Sequence, residues 1–199
     1  MSSELNHADG VNVAIVGATG AVGRDLLAVL ERSPLPVASF RLFASPASNG
    51  EVVEVRGRSH RVRSLPENEG AAAMFEGIDL AFMAAPAEVN RALIPVLQDL
   101  DVPVVDIGGT VADKSPLMVA SVSTEPIADF ADTRVMCSPS APGVVLSTIL
   151  SQLSVRGAVG VRGTVMLSAS SAGKLGAEEL SGQVVSLFNG QTPPRSVFT

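Results

Sequence analysis

Val13-Ala14-Ile15-Val16-Gly17-Ala18-Thr19-Gly20-Ala21-Val22-Gly23 is the stretch around which the rest of the chain is organised. The apolar run from Val11 to Val16 reads as a buried strand, and it breaks at Gly17. A helical pattern follows, with Leu26, Leu27, Val29 and Leu30 on one face. Glycines 17, 20 and 23 let the backbone turn tightly, let a pyrophosphate approach, and let the helix pack on the strand. Free N–H groups and the dipole at the helix N-terminus favour an anion there. The spacing is GxxGxxG rather than GxGxxG. The preceding strand and the following helix supply the context that a glycine pattern alone lacks.

Strand, glycine turn and helix together are the phosphate-binding element of a Rossmann-type fold, and the chain beyond it alternates accordingly. The first helix is expected over 21–32, ended by Pro34 and Pro36, and a second strand over Ala38 to Phe43. Glu51 to Val55 and His60 to Leu65 read as a hairpin closed near Gly57, a small insertion in the parallel pattern. Glu69 to Phe75 reads as a short helix, Asp79 to Ala84 as a strand, Pro86 to Leu97 as a helix and Val102 to Ile107 as the next strand. Pro116 to Val122 and Arg134 to Cys137 are further short-strand candidates. A helix starts near Pro142, with Val144, Val145, Ile149 and Leu153 at helical spacing. Val155 to Ser168 reads as a long strand or strand pair, and Gly176 to Phe188 as a last helix. The expected class is α/β, with a Rossmann-like doubly wound parallel sheet. Residues 1–10 read as a mobile tail, 11–140 as the nucleotide-binding domain and 141–199 as part of a second α/β domain.

The composition agrees. Of 199 residues, 46% are apolar and 17% charged, which fits a well-buried globular chain. Mean hydropathy is +0.36, as expected where sheet strands are covered on both faces. A net charge of −6 and a pI near 4.9 speak against nucleic acid and against anionic membrane as partners. No window offers the ~18 uninterrupted apolar residues of a membrane helix. Met1 to Gly10 is polar, unlike a signal peptide. One cysteine excludes an internal disulfide and a cysteine-based metal site. A cytoplasmic location is the resulting expectation.

Few residues invite chemistry. The second strand ends in Leu42-Phe43-Ala44-Ser45, without the acid that holds a ribose diol in NAD-preferring sites. Ser45, Ser48 and Asn49 can instead hydrogen-bond a 2′-phosphate, or serve as ordinary turn residues. Cys137 sits on an apolar strand end after Val135 and Met136, several residues before the helix at Pro142. That setting favours a buried inert thiol over an activated nucleophile. His7 and His60 lie away from core strand ends and read as solvent-facing, and they form no ligand set for a metal. Ser171-Ala172-Gly173-Lys174 matches S-x-x-K formally, but the companion motifs of serine acyl transferases are missing. It also fails as a P-loop, with Ser168 at the first glycine position and Leu175 at the Ser/Thr position.

Taken in order, several runs resemble the aspartate-semialdehyde dehydrogenase family. They are Val13 to Gly23, Leu26-Leu27…Leu30-Glu31, Leu42-Phe43-Ala44-Ser45…Gly50, Val104-Val105-Asp106, Pro116-Leu117-Met118-Val119, and Ser170 to Lys174 with Glu178-Glu179-Leu180…Gln183. The likeness spans about 11 to 190. It implies an NADP-binding domain and a second α/β domain that carries catalysis and dimerisation. It also implies reductive dephosphorylation of aspartyl phosphate through a cysteine thioester, in amino-acid biosynthesis. The resemblance places the cofactor on Gly17, Thr19, Gly20, Ala21, Val22, Gly23, Ser45 and Ser48.

The catalytic positions depart from the family. Its nucleophile lies in an Asn-Pro-Asn-Cys-Ser/Thr run, and the matching run is Ser138-Pro139-Ser140-Ala141-Pro142, so the nucleophile position is Ala141. The Asn-Ser-Ser after the Asp-ending strand is Ile107-Gly108-Gly109, and the arginine that grips phosphate aligns near Ala112. The Pro-Glu-Val-Asn run aligns with Ala120-Ser121-Val122-Ser123, and the arginine of the 2′-phosphate loop is Ala47. The family's general-base histidine falls in a part of the second domain expected beyond Thr199. Five emptied positions beside an intact glycine turn resemble the Usg-type paralogues, which lack the cysteine. The expectation is a catalytically inactive NAD(P)-binding protein acting as a cofactor-binding or oligomerisation partner, as a homodimer or hetero-oligomer. Two alternatives stand beside it: an active NADP-dependent dehydrogenase using Cys137 or a further segment, and an interaction module without nucleotide binding.

Overall fold

A computed structural model of the chain describes residues 10–66, 70–123, 133–157, 160–193 and 197. Contacts divide the chain into two compact units, Met1–Gly157 and Ala158–Thr199.

In the first unit the strands are β1 (Val11–Val16), β2 (Val37–Ala44), β3 (Val52–Val55), β4 (Arg58–Ser64), β5 (Leu80–Met83), β6 (Val104–Asp106) and β7 (Val135–Cys137). Among the described residues they form one sheet in the order β3-β4-β2-β1-β5-β6-β7. Every neighbouring pair is parallel except β3 with β4. The helices are α1 (Ala21–Arg32), α2 (Ala87–Asp99) and α3 (Ala141–Ser154). The strand order runs outward from β1 through β2 to β4, then restarts on the other side of β1 with β5. Open α/β sheets place ligands outside the carboxyl ends of the strands at such a reversal.

Alternation along β1 explains why its sequence is an unbroken apolar run. Val13 and Ile15 face one cluster with Leu27 and Leu30 of α1, Leu42 and Val62. Ala14 and Val16 face the other, with Phe43, Phe75 and Leu93, Ile94 and Leu97 of α2. Both faces are covered, so neither parity tolerates a polar residue. Each fully buried Leu, Ile or Phe here contributes roughly 1.5–3 kcal/mol relative to exposure.

The hairpin is placed as the sequence suggests but is not an insertion. Its second strand, β4, pairs parallel with β2 and extends the main sheet. Its turn residues Arg56 and Gly57 both have positive φ, 51° and 68°, the geometry of a two-residue hairpin. Arg56 then reaches the end of α1, where its Nη2 donates to the carbonyls of Leu30, Ser33 and Leu35 at 2.7, 2.8 and 3.0 Å. The Leu30 carbonyl also accepts from Ser33 N–H at 3.2 Å, so Arg56 adds to the closure of the helix C-terminus. The short helix read over 69–75 is a single 3-10 turn, Ala72–Phe75, and residues 67–69 lie outside the described set. The strand expected over 116–122 is reduced to one bridge, Leu117 with Cys137.

The second unit contains a 3-10 turn, Ala169–Ala172, and helix α4 (Gly173–Phe188). Residues 160–168 have no regular secondary structure, which corrects the strand expected over 155–168. The Val- and Thr-rich composition of that stretch has strand propensity. A strand also needs a ladder partner, and none pairs with these residues among those described. The start of the stretch, Val155 to Gly157, is instead the turn that ends α3. No helix among the described residues is long and apolar enough to cross a membrane.

Candidate functional site

The carboxyl end of β1 leads straight into the glycine turn. The N–H groups of Gly17 and Ala18 both donate to the carbonyl of Phe43, at 2.8 and 3.0 Å, which pins the turn to the end of β2. Gly20 N–H donates to the Gly17 carbonyl at 3.1 Å, and Arg24 N–H donates to the Gly20 carbonyl at 3.0 Å as α1 begins. Two glycines are dictated by sterics. Gly17 has φ of +91°, and an added Cβ would meet the Ala84 carbonyl oxygen at 2.5 Å. Gly23 is buried in the first turn of α1, where a Cβ would lie 2.1 Å from the Gly17 oxygen. Gly20 differs: it caps α1, is exposed, and a Cβ there would meet only the Gly17 oxygen, at 3.3 Å.

Helix α1 has no side-chain cap and no acidic residue in its first turn. Ala21 and Val22 are exposed beside Gly20. The positive end of the helix dipole is therefore uncapped and exposed, at the point where the sheet order reverses. An uncapped, exposed helix start of this kind suits a pyrophosphate, while the bare Gly23 lets α1 pack closely on the turn.

The loop after β2 meets the glycine turn. The hydroxyl of Thr19 donates to Ser48 Oγ at 3.2 Å. Ser45 precedes the 3-10 turn Pro46–Ser48, and its carbonyl accepts from Ser48 N–H at 2.9 Å. Thus Thr19 and Ser48 are brought together, Ser45 stands exposed at the loop entry, and Gly20, Ala21 and Val22 are exposed at the start of α1.

Further along the same sheet edge, Asp106 ends β6 with no solvent exposure. Its Oδ2 accepts from Thr110 N–H, from Thr110 Oγ1 at 2.8 Å and from Val111 N–H at 3.2 Å. Its Oδ1 accepts from Asn90 Nδ2 at 3.4 Å. Asn90 is fully buried, and its own Oδ1 has no hydrogen-bond partner among the described residues. A carboxylate so engaged organises the Gly108–Val111 turn. The sequence marks Asp106 only as the end of the Val104-Val105-Asp106 run, and Asn90 is not singled out there. Asn90 was signalled by a lone amide in the apolar stripe of α2, and Asp106 by a carboxylate four residues before Thr110.

Cys137 ends β7 beside this carboxylate, its Sγ 3.7 Å from Asp106 Oδ2 and 1% exposed. Burial first, then the charge of Asp106, pushes its thiol up to about 11. A nucleophilic thiol needs the opposite setting, with a helix N-terminus or a cation lowering the value. The helix that follows, α3, opens at Ala141, which is exposed and carries no nucleophile.

The remaining candidates stay outside the site. His60 is half-buried rather than solvent-facing, edge-on to Phe40 with ring centroids 5.4 Å apart. His7 lies outside the described residues. Ser171 is exposed in a 3-10 turn of the second unit. No group of three metal-ligating side chains occurs among the described residues.

Residues 12–130 match the family model described as semialdehyde dehydrogenase, NAD binding domain. Aspartate-semialdehyde dehydrogenase 2 of Vibrio cholerae is 31% identical over 94% of this chain and 55% of its own length. A USG-1 protein homolog of Azotobacter vinelandii is 34% identical, again over 94% of this chain and 55% of its own length. The crystal structure of aspartate semialdehyde dehydrogenase II from Vibrio cholerae, complexed with ASA, superposes with a TM-score of 0.77 at 31% identity. That superposition covers 96% of this chain and 56% of the other. The chain thus spans about half the length of the relatives it matches.

Proposed function

We infer the function from one premise, that this chain belongs to the semialdehyde dehydrogenase family through its NAD-binding domain. On that premise it binds a nicotinamide cofactor, NADP, at the glycine turn and does not carry out the family's thioester chemistry. By resemblance, residues 11–140 form the cofactor domain and 141–199 belong to the second, dimerisation-type domain, although contacts group α3 with the first unit. Gly17, Gly20 and Gly23 admit the pyrophosphate, and Ala21 and Val22 border it at the dipole end of α1. Thr19, Ser45 and Ser48 hold the adenosine side. The bound cofactor would supply hydride chemistry; the chain's own residues bind and orient it.

The observation that carries the inactive reading lies between β7 and α3. The position that opens the helix is Ala141, and the thiol four residues earlier is buried with its value raised to about 11. Covalent catalysis needs an accessible thiolate, whereas Cys137 is buried and its thiol faces a carboxylate already engaged by Thr110 and Val111. Helix α3 supports the second half of the reading, as a partner in an oligomer. Val145, Leu146, Ile149 and Leu153 form one exposed apolar stripe along it, and such a stripe marks an association surface.

The test is turnover of aspartate semialdehyde with phosphate and NADP+, followed at the nicotinamide absorbance, alongside native-state thiol labelling. No turnover and a protected Cys137 are expected. Turnover that disappears in Cys137→Ser would overturn the inactive reading.

A further inference from the structure

We propose that Arg24 is the specificity-determining cation of the cofactor site, and that it holds the 2′-phosphate of NADP from helix α1. The proposal rests on the cofactor reading above and assigns the charge that the β2 loop lacks. Residues 44–50, Ala-Ser-Pro-Ala-Ser-Asn-Gly, carry no charged side chain. They offer no carboxylate to a ribose diol, and no cation to a 2′-phosphate. A doubly charged phosphate held by hydroxyls alone would lose most of the attraction that sets NADP apart from NAD.

Arg24 stands where that cation is wanted. Its Nε donates to the Thr19 carbonyl at 3.0 Å. The same Thr19 donates its hydroxyl to Ser48 Oγ at 3.2 Å. One residue thus ties the guanidinium to the β2 loop. Ser48 Oγ and the guanidinium are thus linked through the single residue Thr19.

The mode of attachment matters as well. With Nε spent on Thr19, the two terminal amino groups form a free edge of the planar fork, suited to bidentate contact with phosphate. Among the described residues Arg24 is paired with no carboxylate, so nothing there competes for that edge. Ordering is partly prepaid too, because the Thr19 contact already restricts the side chain. Arg63, on the neighbouring strand β4, is exposed but faces the α2 side of the sheet with Phe43, its register partner in β2. It serves as the control.

The experiment titrates NADP+ and NAD+ separately into the wild-type chain, Arg24→Gln and Arg63→Gln, by calorimetry at one fixed ionic strength. Arg24 is exposed, so the variant is expected to fold, and far-ultraviolet circular dichroism checks this. The wild-type chain should prefer NADP+. Arg24→Gln should weaken NADP+ by about 10- to 100-fold, the range for a lost charged hydrogen-bond pair, and leave NAD+ within about twofold, since NAD+ has no 2′-phosphate. Arg63→Gln should change neither. Equal affinities in the wild type, or an NADP+ to NAD+ ratio unmoved by Arg24→Gln, would overturn the assignment while leaving the cofactor site standing. Binding of neither nucleotide to the wild type would remove the cofactor reading itself, and this assignment with it.

Discussion

Gly23→Ala separates packing from intrinsic helix preference, because the two predict opposite signs. Gly23 lies in the first turn of α1 with helical backbone, so alanine there costs nothing in conformation. Propensity alone would make the variant more stable, by roughly 0.5–1 kcal/mol. The surroundings say otherwise. The new Cβ would lie 2.1 Å from the Gly17 oxygen and 2.8 and 2.9 Å from Ala18 Cα and C. All three atoms are backbone, in a turn pinned to β2 through Phe43, so none can swing away as a side-chain tip would. The helix must back off β1 by about 1 Å, and overpacking of this kind costs about 1–3 kcal/mol. The net expectation is a loss of about 1–2 kcal/mol, read as a lower urea midpoint at unchanged slope. Cofactor affinity should fall as well, since the helix N-terminus moves. Gly20→Ala is the companion, with a single 3.3 Å contact and an exposed position, and it should cost under about 1 kcal/mol. A Gly23→Ala chain as stable as the parent, or more so, would refute the packing argument.

Asp106→Asn should cost about 2 kcal/mol in urea unfolding. An amide cannot accept from Thr110, Val111 and Asn90 together, so at least one buried donor is stranded. Cys137 gives a pH signature. Its thiol ionises near 9.0 when unperturbed and at about 11 in the fold, so the unfolded chain releases its proton first. The stability that depends on it is complete below pH 9, declines as pH rises toward 11, and should lose this component in Cys137→Ala, as read from unfolding midpoints across pH 8–11. Ile149→Glu on the exposed stripe of α3 should shift light scattering toward monomer without lowering the unfolding midpoint. A wild-type chain that is already a monodisperse monomer would contradict the association reading.

Most of the first unit was legible because local and tertiary demands agree there. The glycine turn, α1 at Ala21–Arg32 and the Arg56-Gly57 turn each have a chemical marker that leaves little choice. The role of β4 was not legible. A hairpin sequence specifies its own antiparallel pairing, but nothing in Arg58–Ser64 announces the parallel ladder to β2, which depends on residues far away in the chain. Residues 155–168 misled because valine-rich stretches suit strands only where a neighbouring strand exists. At the site, Cys137 read correctly as buried from the apolar residues before it. The pairing of Asn90 with Asp106 and the Arg24–Thr19–Ser48 chain were not legible, because each joins side chains from separate elements whose meeting only the fold creates.

The most direct test of the central claim is calorimetric titration of NADP+ into the purified chain, with Gly20→Val as control. The fold tolerates a side chain at this exposed cap far better than at Gly17 or Gly23, yet a valine there stands over the helix start proposed to receive the pyrophosphate. Saturable one-site binding in the micromolar range, abolished in Gly20→Val, is the predicted result. Absence of any binding heat at millimolar NADP+ would contradict it, and would leave the glycine turn as a structural corner of the sheet.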